Sequence, residues 1–144
     1  MHRFGRTAAL VIIIAAAALA GCGRTSAPAA TPPPAHVRVG HHGTVSVVLT
    51  PQGAQRAGLQ TAVAASAARG RQAVVPYSAL LYQPDGSSVI YKVTGPLTYT
   101  LVPVAVASVQ GRQVYLTGLA PGTAVVTVGG EELLGVQDGV GVQT

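Results

Sequence analysis

The side chains that could do chemistry are few: two aspartates, two glutamates, one cysteine, four histidines and five tyrosines in 144 residues. Glu131 and Glu132 are neighbours, so on a helix they diverge by about 100° and do not face one substrate. Asp85 and Asp138 each precede a glycine and read as turn residues. A Ser-His-Asp system lacks both its Gly-x-Ser-x-Gly turn and a rigid place for its base, because His36, His41 and His42 lie at the edge of a proline-rich segment. Gly129-Gly130 precedes a helical pattern, but no Lys-Ser/Thr follows to make a phosphate loop. The three histidines are weak candidates for a soft or borderline metal ion; the plainer reading is exposed histidine in a polar segment. Tyr91 shares a face with Val89 and Val93 and is expected in the core. Tyr115 falls between Val114 and Leu116, on the side of Gln113 and Thr117, and is the candidate for contact with a partner. The expectation is a protein without catalysis and without a cofactor.

The cysteine has a more specific context. His2, Arg3 and Arg6 precede the thirteen-residue apolar run Ala8 to Ala20, which suits a signal peptide and falls short of the ~20 residues of a spanning helix. The run ends Leu19-Ala20-Gly21-Cys22. That ending resembles the lipobox of bacterial lipoproteins, in which the thiol receives a diacylglyceryl group before cleavage. The alternative is an uncleaved signal anchor with a chance cysteine. Cys22 is the only cysteine, so no disulfide can form within the chain, and lipidation accounts for an odd thiol in an exported protein. Two acyl chains on one residue give stable attachment to a membrane. Ser, Thr, Ala and Pro dominate from Gly23 to Pro34 and read as a semi-rigid tether, reaching about 40 Å at the polyproline rise. The expected division is therefore 1–21 signal peptide, 22–36 lipidated cysteine and linker, and 37–144 a single β-rich domain.

The elements that must position these residues follow from the pattern after Val37. Charged residues make up 9% of the chain, far below the ~25% of soluble domains. The basic residues after Cys22 are spread out and have no Phe or Trp among them, which excludes the basic stripe of a nucleic-acid surface. Thr44 to Leu49 is a Val-rich strand. Thr50-Pro51 starts a short helix, with threonine as cap and proline at the first position, and Gly58 ends it. Leu59 to Val63 is extended, and Ala64 to Gly70 is either a helical turn or a linker. Pro84-Asp85-Gly86, Gly95-Pro96, Gln110-Gly111 and Pro121-Gly122 separate further strands over Val89–Val93, Leu97–Val109, Val114–Leu116 and Val125–Val128. Pro103 argues for an edge strand or a bulge. Glu131 to Leu134 fits one helical turn with acids at its positive end. Five or six short strands with one or two short helices predict a mainly β domain, a small closed or half-closed barrel.

One set of segments carries a resemblance: Val75-Pro76-Tyr77-Ser78-Ala79-Leu80, Ser88 to Val93, Val102-Pro103-Val104, and Gly118-Leu119-Ala120-Pro121-Gly122-Thr123-Ala124-Val125-Val126 with Gly129, Leu133, Leu134 and Asp138-Gly139-Val140. Together they resemble the C-terminal, membrane-proximal domain of periplasmic adaptor (membrane fusion) proteins of efflux pumps. The segment Val47–Pro51 with Ala57–Thr61 is similar to the heavy-metal branch of that family. The resemblance spans about Val45 to Val140 and implies an SH3-like β-barrel that docks on a transporter permease, with possible homo-oligomers. The chain lacks the family's lipoyl-like domain and helical hairpin, so by itself it is no envelope-spanning conduit. It also lacks methionines after Met1, on which copper-handling members rely. The expected function is a lipid-anchored extracytoplasmic adaptor or accessory subunit of an efflux transporter. The alternative is a stand-alone lipoprotein that binds a metal ion or small ligand at the cell surface.

Overall fold

The computed structural model describes residues 33–68 and 71–139. The signal segment, the lipobox with Cys22, and the tether up to residue 32 lie outside the described residues. In chain order the elements are β1 (Ala35–Val39), a 3-10 turn (His41–Gly43), β2 (Val45–Leu49), α1 (Pro51–Ala57), β3 (Gln60–Val63), β4 (Ala65–Ser66), β5 (Ala73–Pro76), a second 3-10 turn (Tyr77–Ala79), β6 (Leu81–Tyr82), β7 (Ser88–Gly95), β8 (Thr98–Pro103), β9 (Ala105–Gln110), β10 (Gln113–Thr117), β11 (Ala124–Val128) and α2 (Gly130–Gln137). The domain is mainly β with two short α-helices, and among the described residues no helix is long and apolar enough to cross a membrane.

The strands form two sheets. The larger runs β1-β2-β8-β7-β11-β3, with β6 added to β7; the smaller runs β4-β5-β10-β9. Neither sheet closes on itself, so the expected barrel is replaced by two open sheets. The reason lies in β7 and β11. Val89, Ile90 and Tyr91 are all buried in succession, as are Val125 and Val126. A strand buried at every residue has both faces covered. Ile90 and Val125 pack with Val75, Val114 and Leu116 of the smaller sheet. Val89, Tyr91 and Val126 pack on the opposite side with Val47, Leu49, Tyr99 and Leu133 of α2. The larger sheet is thus a middle layer between the smaller sheet and the helical side.

The local rules explain most boundaries. The Thr50 hydroxyl accepts a hydrogen bond from Gly53 N at 3.0 Å, Pro51 opens the helix, and Gly58 ends it at φ 57°. Ala64 to Gly70, open as helix or linker from sequence, begins with the two-residue strand β4 on β5. Leu97–Val109, expected as one extended run, is two strands in different sheets. Pro103 is the last residue of β8, paired with Val89 of β7 on one side and beyond the β2 ladder, which stops at Thr100, on the other, so it stands at a local edge of an otherwise interior strand. Having no N–H, it ends the ladder there, and Val104 N then bonds Ser88 O at 3.0 Å as the chain crosses to the smaller sheet. The bulge falls later, in β9, where register shifts so that Val106 and Ser108 face Leu116 and Tyr115. Helix α2 is twice the single turn expected. At the other end, β1 begins at Ala35, two residues before the expected start of the domain, and pairs with β2 through five residues.

Candidate functional site

The outer face of the smaller sheet carries the exposed chemistry. In β10, Val114 and Leu116 are fully buried, so pleating sends Gln113, Tyr115 and Thr117 to the other side. Register places Tyr115 opposite Val74 on β5 and Ser108 on β9, and Val74 opposite Ala65 on β4. One row, Ala65-Val74-Tyr115-Ser108, therefore crosses the whole sheet. Above it lies an open cleft of about 590 Å³, lined by the hairpin residues Ala65 to Ala68 and by Gln72, Val74, Ser108, Gln110, Gln113 and Tyr115. Tyr115, expected as an exposed contact residue, is half-buried in this cleft on an interior strand.

A second feature adjoins the first through Gln113. The groove beside the β9–β10 hairpin, about 560 Å³, is lined by Pro76, Tyr77, Ser78, Gly111, Arg112 and Gln113. Arg112 O accepts a hydrogen bond from Tyr77 N at 2.8 Å, which fixes the hairpin against the turn. Tyr77 and Tyr82 are 46% and 54% exposed, whereas Tyr91 and Tyr99 are buried. Hydrogen bonding to Tyr77, then burial, then the Tyr77 charge raise the Tyr82 phenol above its ordinary value. Sequence reasoning did not single out Tyr77 or Tyr82. Their signal was positional: Tyr77 follows Pro76 and Tyr82 precedes Gln83-Pro84, so both stand where strand alternation stops.

The remaining candidates take ordinary structural places. His36 is exposed on β1, and His41 and His42 are exposed in the first 3-10 turn, His42 with φ 61°. Among the described residues no three His, Cys, Asp or Glu side chains come together as metal ligands. Glu131 and Glu132 lie in the first turn of α2. Asp85 accepts a hydrogen bond from Ser87 N at 2.8 Å, and bonds from the Ser87 side chain and backbone lower its pKa. Tyr91, in the core as expected, donates its hydroxyl to Gln137 Oε1 at 2.9 Å. Burial, and then the Asp138 charge, push its phenol well up. Burial also raises Tyr99.

No family model, curated protein or solved structure matches the chain. The arrangement itself offers two surfaces: an exposed Tyr77–Tyr82 pair, of which Tyr77 shares a groove with Arg112, and a polar cleft floored by Tyr115.

Proposed function

We propose that the chain is a lipid-anchored, extracytoplasmic, non-catalytic adaptor or accessory subunit of an efflux transporter. In this reading Cys22 carries the anchor and the proline-rich segment is the tether. The two open sheets are the counterpart of the SH3-like membrane-proximal domain that the sequence resembles. Holding the domain at the membrane raises its effective concentration toward a permease without any new contact.

The observation that supports docking is the surface formed by Tyr77, Tyr82 and Arg112. Tyrosine and arginine are the residue types in which binding energy concentrates, and here Tyr77 is about half exposed in a groove shared with Arg112, with the equally exposed Tyr82 next to Tyr77. They replace Tyr115 as the residues that contact the partner. The test is crosslinking of the tagged lipoprotein in intact cells, followed by detergent extraction and mass spectrometry. Enrichment of one permease over an unrelated lipoprotein, lost in the Tyr77→Ala, Tyr82→Ala variant, is the expected result. Recovery of no permease, at doses that trap a known complex, would reject the adaptor role.

A further inference from the structure

The cleft above Tyr115 lies on the sheet face and meets the hairpin groove at Gln113, and its chemistry is different. We infer that it binds a neutral, hydroxyl-rich ligand, namely a segment of saccharide chain. This inference does not depend on the adaptor role.

The lining decides the class. Gln72, Gln110 and Gln113 each present a donor and an acceptor on one flat group, and Ser66, Ser108 and the Tyr115 hydroxyl add three more. A carboxamide spans the donor–acceptor spacing of adjacent sugar hydroxyls, and a phenol ring gives the apolar C–H face of a pyranose a surface to lie on. Among the described residues the cleft is lined by neutral side chains. An apolar ligand is disfavoured because it would strip water from three carboxamides and return no hydrogen bonds. An extended peptide is disfavoured for a topological reason. Tyr115 is on β10, which is already paired on both sides by β5 and β9, so at the Tyr115 floor a strand finds no free backbone ladder, and the free ladders of this sheet lie only at its borders, β4 and β9. The volume of about 590 Å³ falls within the ~300–1,000 Å³ of small-molecule sites.

The rigidity needed for such a site is built in. Val114 and Leu116 on either side of Tyr115 are fully buried, and Val74 lies between Ala73 and Val75, which are buried as well. The outward row is therefore held by an inward row that belongs to the core. Gln110 and Gln113 are paired across the two-residue β9–β10 hairpin, which sets their carboxamides side by side at one end of the cleft.

The experiment is titration of the full-length lipoprotein in detergent with three neutral tetrasaccharides, built on glucose, N-acetylglucosamine and mannose, followed by calorimetry at low and physiological salt. The expected result is saturable millimolar or tighter binding of at least one of them, unchanged by salt because no ion pair is involved. Tyr115→Ala should weaken it about tenfold, and Tyr115→Phe, which keeps the ring and loses one hydrogen bond, should weaken it by less than Tyr115→Ala. Gln110→Ala, Gln113→Ala alters two exposed residues only, so its loss of binding reports on the cleft even if Tyr115→Ala folds poorly. Absence of saturable binding to all three sugars overturns the inference. So does binding that persists in the double glutamine variant, or binding that disappears at physiological salt, which would assign it to ion pairing.

Discussion

Tyr91 is inaccessible to solvent yet keeps its hydroxyl bonded to Gln137, so the protonation of one oxygen is coupled to stability. Its folded pKa is raised above the ~10 of an unfolded tyrosine. Below about pH 10 both states hold the proton and the contribution of Tyr91 is constant; above it the unfolded state releases the proton first, and stability falls as pH rises. Urea midpoints measured across that range should therefore decline on the alkaline side. Tyr91→Phe should blunt the decline without removing it, since Tyr99 is raised as well, and should cost on the order of 1 kcal/mol at neutral pH for the lost hydrogen bond. At Cys22 the prediction is about location. Cys22→Ala should move the protein from the membrane to the soluble fraction; a variant that still sediments with membranes after a salt wash would reject the lipid anchor.

Helix α1 shows how an element's context can reverse a residue's usual preference. Thr50→Ala removes the bond to Gly53 N and should cost about 1 kcal/mol, as cap losses do. Gly53→Ala would ordinarily gain up to ~1 kcal/mol in a helix. Here a Cβ on Gly53 would run into the Pro34 carbonyl, and that carbonyl is already held by Thr50 N at 3.0 Å. The substitution should lower the urea midpoint rather than raise it; an increase would show that Pro34 moves freely. The cap, the proline and the terminal glycine of this helix were all legible in sequence because they act within four residues. The role of Gly53 was not, since its neighbour is nineteen residues away in the chain.

For the molecule as a whole, the first strand matters more than its composition implies. Ala35 is buried among Val47, Leu49 and Leu133, and β1 forms the border of the larger sheet. A chain starting at Val37 loses that packing and the Pro34 acceptor of Thr50, and should unfold at distinctly lower urea than one starting at Pro33. Equal midpoints would mean that β1 is dispensable. One border of the smaller sheet is β9, which is exposed along its length and carries no charge. Its bulge between Val106 and Ser108 disturbs the ladder there, a common defence of edge strands against unwanted pairing.

Sequence alone determined that the domain is mainly β, where its turns fall, how α1 is capped, and that Tyr91 is core. Those features depend on side-chain period, on glycine and proline, and on contacts within a few residues. Tertiary structure decided that the strands make two open sheets rather than a barrel, because one apolar run looks the same whether one face or two is covered until its partners are in place. It also decided that the chain changes sheet after Pro103, and that Tyr115 lies in a cleft while Tyr77 and Tyr82 are exposed. The cleft is assembled by pairing β4, β5, β10 and β9, whose residues are separated by up to fifty positions, and cross-strand register of that kind leaves no mark on any single segment.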